Sequence, residues 1–197
     1  MIVETPHGPA RVHLREAEGA RAALVLGHGA GGGVTAPDLV AATEAALAER
    51  ISVALVEQPY RVAGRRSPAP VRQLDVAWSA VVAHLAFRVP LVVGGRSLGA
   101  RVACRTAAET GAIAVLCLAF PLHPPGRPDR SRLSELEEVT VPVLVVQGES
   151  DPFGMPPPGP GRTVVRVRGD HALKADLPAV TEAVRAWLQR VATSLRS

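Results

Sequence analysis

A chain of 197 residues, 47% of them hydrophobic, suits one folded domain with a sizeable core and excludes a disordered chain. Its net charge is +4 and its pI near 10.0, but the basic residues are scattered and only 3% of residues are aromatic, which argues against a nucleic-acid partner. No apolar run approaches the roughly 20 residues that span a bilayer, and the first ten residues carry no signal-peptide pattern, so a cytoplasmic protein with no membrane partner is expected.

Residues 10–14 alternate weakly and suit an edge strand. Residues 22–26 form the first apolar run fit for a buried strand, and it runs into Gly27-His28-Gly29-Ala30-Gly31-Gly32-Gly33. Asp38 is placed to cap a helix reaching about residue 50, with Leu39, Val40, Thr43 and Leu47 on its inner face. Residues 52–56 read as a second buried strand, and residues 57–70 as a loop rich in proline and arginine. A long helix over 71–87 precedes a third buried strand at 91–93. A helix over 98–109 and a fourth strand at 113–118 follow. After a proline-rich loop come a short helix at 131–138, a strand at 143–146 and a last strand at 163–167. The chain closes with an amphipathic helix over 177–195, started by Pro178. Cys104 and Cys117 lie in apolar surroundings and are expected as buried thiols rather than a disulfide or metal pair.

Strands thus alternate with helices, and the strands are apolar throughout rather than on one side only. That predicts a single α/β domain over 1–197, a mostly parallel sheet flanked by helices on both faces. Such sheets hold their sites at the carboxyl ends of the strands.

The third buried strand ends in Gly95-x-Ser97-x-Gly99, the nucleophile-elbow pattern. A strand that turns at once into a helix strains the corner residue, and its neighbours two places away must be small to pack together. The serine hydroxyl is then held proud of the sheet at a helix N-terminus. Asp151 follows the strand at 143–146, and His171 follows the last strand. A serine alkoxide is inaccessible at neutral pH, so a base must take the proton during attack. His171 can do that, with Asp151 orienting the ring and stabilising its cation. The order Ser, Asp, His is that of the α/β-hydrolase triad. Asp170 competes for the acid role, but its place beside His171 in sequence aims it elsewhere. The N–H groups of Ala30 and Leu98 are the candidate oxyanion hole. A rival reading exists: Gly27-x-Gly29-x-x-Gly32 also fits the dinucleotide fingerprint, with Glu57 where a ribose-binding acid would stand.

The chain also resembles a known family. The segments are Gly27-His28-Gly29-Ala30-Gly31-Gly32, Gln58-Pro59-Tyr60 with Ala63-Gly64-Arg65-Arg66, and Gly94-Gly95-Arg96-Ser97-Leu98-Gly99-Ala100-Arg101. Further ones are Pro121-Leu122-His123-Pro124-Pro125-Gly126, Gln147-Gly148 with Asp151-Pro152-Phe153-Gly154, and Gly169-Asp170-His171 with Leu173-Lys174. They are similar to the small, lidless, dienelactone-hydrolase-like α/β-hydrolases, in the subgroup of testis-expressed protein thirty and the third regulatory subunit of the KAT-eight (NSL) complex. The resemblance implies an α/β-hydrolase fold and a Ser97-Asp151-His171 triad, but no particular substrate. Dienelactone hydrolases proper use a cysteine where this chain has Ser97, so their substrate class is not inherited.

Only residues 119–140 fill the place where larger hydrolases insert a lid, so minimal cover is expected. Tyr60, Leu122, His123 and Phe153 are candidates to line the pocket. Arg61, Arg65, Arg66 and Arg96 either hold an anionic group or serve as solvated and structural arginines. Two functions follow: a serine hydrolase of small carboxylic esters or thioesters, and a non-catalytic interaction module. Neither needs a cofactor or a metal. The expected partner is a small ester-type molecule, and the oligomeric state is open.

Overall fold

The apolar, valine- and leucine-rich runs lie at the centre of a single eight-stranded sheet, where branched side chains pack well on a pleated surface. The computed structural model describes residues 1–194. The strands are β1 (Ile2–Val3), β2 (Ala10–Arg15), β3 (Ala22–Gly27), β4 (Ile51–Glu57), β5 (Leu91–Arg96), β6 (Ala114–Leu118), β7 (Val143–Gly148) and β8 (Arg162–Val167). They are ordered β1-β2-β4-β3-β5-β6-β7-β8. Every neighbouring pair from β4 to β8 is parallel, while β2 runs antiparallel to β4 and to β1. The helices are α1 (Pro37–Ala48), α2 (Pro59–Val62), α3 (Val71–Leu85), α4 (Leu98–Thr106), α5 (Leu133–Glu137) and α6 (Leu177–Ser194). This is the α/β-hydrolase fold.

Two cores sandwich the sheet, and the strands divide between them with the period of two that pleating imposes. Leu24 and Leu26, Leu116 and Leu118, and Leu144 and Val146 join the core under α1 and α6. Val25, Val115 and Cys117, and Val143 and Val145 join the core under α3 and α4, around the buried Trp78. Cys104 and Cys117 are free and buried, with their sulfurs 3.5 Å apart.

Charge ties the elbow helix to its neighbours. Arg105 of α4 grips Asp75 of α3 through two bonds, at 2.9 and 2.6 Å. Arg101, also in α4, grips Glu135 of α5 at 2.8 and 2.6 Å. Such forked pairs fix geometry as well as charge.

Several expectations need correction. Asp38 is not a cap: Ala36 is the N-cap residue, and Asp38 lies fully buried in the first turn of α1. Val40 points outward and is 40% exposed, because the inner stripe of α1 runs through Leu39, Ala42, Thr43 and Ala46. The loop 57–70 contains α2. The two-residue strand β1 is too short to read from periodicity. α4 ends at Thr106, three residues before the expected Glu109. The expected helix end at Leu195 lies outside the described residues. Among the described residues, no helix is long and apolar enough to cross a membrane.

Candidate active site

β5 passes directly into α4 through Ser97, whose backbone sits at φ 51° and ψ −109°. A side-chain-bearing residue held there costs about 1–3 kcal/mol and persists only if its surroundings enforce it. Here the Ser97 N–H donates to the Leu118 carbonyl at 2.9 Å, and its own carbonyl accepts from the Arg101 N–H at 3.2 Å. The flanking glycines are required by close approach, since neither has a positive φ. A Cβ on Gly95 would lie 2.5 Å from the Gly27 carbonyl oxygen and 2.7 Å from the Gly99 carbonyl carbon. One on Gly99 would run into the same Gly27 carbonyl. The elbow is therefore wedged against the end of β3.

Ser97 Oγ lies 2.9 Å from His171 Nε2, and His171 Nδ1 lies 2.8 Å from Asp151 Oδ2. An ionised carboxylate only accepts, so the Nδ1 proton is the one donated to Asp151. Nε2 is then left to accept from the Ser97 hydroxyl, a tautomer inferred from the network. The Asp151 side chain is 1% exposed. Its Oδ1 accepts from the Phe153 N–H at 2.8 Å, and Gln147 Nε2 donates to Oδ2 at 2.8 Å. The Phe153 ring lies on the His171 ring, centroids 4.1 Å apart and tilted 32°. The two loops are stitched together where the Ser150 N–H meets the Gly169 carbonyl at 3.0 Å. Asp170 is turned to its own loop, its Oδ1 accepting from the Ala172 N–H.

Gln147 is a site residue that the sequence reading missed. It is wholly buried at the end of β7, and its amide nitrogen also approaches the carbonyls of Phe120 (3.1 Å) and Gly154 (2.9 Å). The signal for it is present in the chain: a glutamine closing an apolar strand must find partners or cost stability.

On the other side of Ser97, Leu98 is the first residue of α4, and Ala30 lies in the glycine loop after β3. Among the described residues, neither the Ala30 nor the Leu98 N–H donates to a protein acceptor. The Ala30 amide is oriented from behind by His28. His28 Nε2 accepts from the Gln58 N–H at 3.1 Å, so Nδ1 carries the proton and donates to the Gly29 carbonyl at 2.7 Å. That carbonyl belongs to the same peptide group as the Ala30 N–H. Tyr60 Oη donates to the Ala30 carbonyl at 2.9 Å and so pins the following peptide as well.

Burial pushes the His28 imidazole below its ordinary value of 6.5, partly opposed by its bond to Gly29. The unfolded chain therefore takes up a proton as pH falls through about 6.5 while folded His28 stays neutral. The stability this preserves at higher pH is lost below that point, down to the depressed folded value. Urea midpoints measured from pH 8 to pH 5 should fall below pH 6.5, and His28→Gln should flatten the fall. An unchanged slope in the variant would refute this.

The candidate pocket residues divide. Tyr60 is 4% exposed and its hydroxyl is committed to the Ala30 carbonyl; burial also pushes its phenol up to about 12. Arg96 is held from two sides. Its Nε is 2.9 Å from Asp38 Oδ2, close enough for an ion pair but not aligned for a hydrogen bond, and its Nη2 donates to the His171 carbonyl at 3.0 Å. Leu122, His123 and Phe153 are half-buried on adjoining loops, tied where the His123 N–H meets the Phe153 carbonyl at 3.0 Å. The His123 ring lies against Gly154, and its Nδ1 donates to the Pro124 carbonyl at 2.9 Å. Arg65 and Arg66 are exposed, and Arg61 turns back to the Arg65 carbonyl. The dinucleotide reading loses its acid, since Glu57 is engaged by Arg11 at 3.3 Å and His13 at 3.1 Å. Between β6 and β7 the sole helix among the described residues is the five-residue α5.

Comparison with known structures gives close matches of fold. One is an α/β serine hydrolase without lid from Xanthomonas campestris, with a TM-score of 0.79 at 21% identity, covering 96% of this chain and 93% of that one. Another is Est1E from Butyrivibrio proteoclasticus with ferulic acid bound, at 0.77 and 15%, covering 96% and 98%. A third is dienelactone hydrolase from Anabaena variabilis, at 0.76 and 18%, covering 96% and 95%. No curated protein sequence matches significantly. The family model of the alpha/beta hydrolase domain matches residues 20–160, well over half of the chain. With that match, the elbow and the sheet order, the chain belongs to the alpha/beta hydrolase domain family.

Proposed function

We propose that this protein is a serine hydrolase of small carboxylic esters or thioesters. The observation that carries the reading is the unbroken relay Ser97–His171–Asp151, at 2.9 and 2.8 Å, starting from a strained corner. Ser97 Oγ attacks the carbonyl carbon as its proton passes to His171 Nε2. The oxygen that becomes negative is received by the Ala30 and Leu98 N–H groups. The intermediate collapses, and the alkoxide or thiolate leaves with the proton from His171. Water then attacks the acyl-Ser97 ester with His171 again as base, releasing the acid and free serine. Asp151 holds the neutral imidazole in the accepting tautomer and stabilises the imidazolium that forms in each half of the reaction.

Small substrates are favoured because the five-residue α5 is the sole helix among the described residues between β6 and β7, where a lid would be inserted, so little apolar surface is available to enclose a long chain. Phe153, Leu122 and His123 are left to choose the acyl or leaving group. The sequence segments around Gly27, Ser97 and Asp151 support a place beside the subgroup of testis-expressed protein thirty and the third regulatory subunit of the NSL complex.

Fluorophosphonate labelling with peptide mapping tests the reading, together with turnover of an activated acetate ester. A covalent adduct on Ser97 and measurable turnover are expected. No adduct and no turnover would sink the enzyme and leave a non-catalytic module.

A further inference from the structure

The residue just before the nucleophile reaches three parts of the site at once. Arg96 leaves β5 with its Nε 2.9 Å from Asp38 Oδ2 in α1 and its Nη2 3.0 Å from the His171 carbonyl. Its Nη1 lies against the oxyanion loop: a Cβ on Gly29 would come within 2.8 Å of it. The Arg96 side chain is 18% exposed and that of Asp38 not at all. Asp38 Oδ1 is held by the Leu39 N–H at 2.9 Å. A planar guanidinium can serve several directions at once, which a lysine ammonium on a flexible stem does less well.

We propose that Arg96, neutralised by Asp38, is a positioning residue that locks the His171 loop and the Gly29–Ala30 loop in register with Ser97. This rests on the hydrolase reading for its consequence in rate, but not for its structural content. Arg96 braces the peptide of the base and abuts that of the oxyanion donor, so small shifts of either are resisted by one rigid group. Asp38 has a distinct task. It cancels the arginine charge, so the brace adds rigidity without a net positive charge beside an imidazole that must become cationic. The charged groups facing His171 are Asp151 from the loop after β7 and Arg96 from β5, with Asp38 of α1 behind Arg96. Asp170 and Lys174 stand on its own loop.

This division of labour separates two variants. Asp38→Asn leaves the arginine charge uncompensated and should move the His171 ring titration, followed by NMR, to lower pH by about half a pH unit. Arg96→Met removes that charge, and the buried Asp38 carboxyl, already pushed up by desolvation and now without the arginine that opposes it, rises further and takes up a proton, so the midpoint should stay near wild type. The double variant should likewise return the midpoint close to wild type, because the arginine is absent. In Arg96→Met and in the double variant, labelling of Ser97 by fluorophosphonate should still be about tenfold or more slower than in wild type, because the brace is gone. A merely structural role of Asp38 would leave the same midpoint in Asp38→Asn and in the double variant. An Asp38→Asn midpoint that stays in place, or that the double variant does not restore, overturns the inference, as does an Arg96→Met protein labelled at the wild-type rate. Should Arg96→Met fail to fold by circular dichroism, Arg96→Lys takes its place. It keeps the charge, so its midpoint should stay near wild type while labelling still slows, and wild-type labelling would overturn the brace. The ring titration needs no turnover, so a wild type that is never labelled would defeat the hydrolase reading alone.

Discussion

Ser97→Ala should abolish fluorophosphonate labelling and lower kcat on an activated acetate ester by about 10⁴–10⁶. The size follows from what is removed and what is left. Without Oγ, no acyl-enzyme forms and His171 has no hydroxyl to activate. The amides of Ala30 and Leu98 stay in place, because alanine keeps the Cβ and the N–H of the corner. A residual rate above that in water, from oxyanion stabilisation alone, is therefore expected. The fold should be little affected. The φ of 51° strains alanine and serine alike, and the wedge of Gly95 and Gly99 against Gly27 is untouched. A melting temperature within a few degrees of wild type, beside complete loss of labelling, is the signature to look for. A Ser97→Ala protein that still turned over within tenfold of wild type would place the chemistry elsewhere.

The second large effect is expected at Asp151. Asp151→Asn should lower kcat by about 10⁴, as loss of the orienting carboxylate does in serine proteases of unrelated fold. Every donor around this side chain points inward. His171 Nδ1 and Gln147 Nε2 both meet Oδ2, and the Phe153 N–H meets Oδ1. An asparagine has one acceptor for two positions. With its amide nitrogen toward His171, the ring must take the other tautomer, and Nε2 can no longer accept from Ser97. That orientation also sets two donors face to face, the new amide nitrogen and that of Gln147. With the nitrogen turned to Phe153, the clash moves to the backbone N–H. Either way a buried donor is left unmatched, at about 1–3 kcal/mol. The variant should thus lose both rate and stability, unlike Ser97→Ala. Steady-state kinetics with chemical denaturation would measure the two losses, and a rate within tenfold of wild type would exclude the carboxylate from the relay.

Local sequence patterns make much of this legible. The run Leu91–Arg96 followed by Ser97-Leu98-Gly99 prescribes a strand, a corner and a helix within a few residues, so the elbow is visible without partners. The apolar strands, unbroken by alternation, imply a sheet covered on both faces. Asp151 stands out because it follows a wholly buried strand and His171 because it follows the valine-rich edge strand β8, and the carboxyl ends of parallel strands share one rim.

The roles of Tyr60, Arg96 and Asp38 are beyond local reading. In sequence Tyr60 has the look of a pocket residue, yet its hydroxyl lies under the Ala30 carbonyl, 30 residues away in the chain. Arg96 has the look of an anion ligand, yet the buried Asp38 stands beside it. Each pairing spans tens of residues, and nothing in either segment specifies the partner.

Pattern and spacing alone thus determined the class of sheet, the corner that carries Ser97, and the strand ends where its companions stand. Only the tertiary structure decided which distant groups meet: Tyr60 on the Ala30 carbonyl, Gln147 on the Phe120 carbonyl, Arg96 beside Asp38 and on the His171 carbonyl. The physical reason is that strand and helix formation respond to nearest-neighbour chemistry and periodicity. Hydrogen bonding between loops instead depends on crossover connections and packing that bring distant residues within about 3 Å of each other.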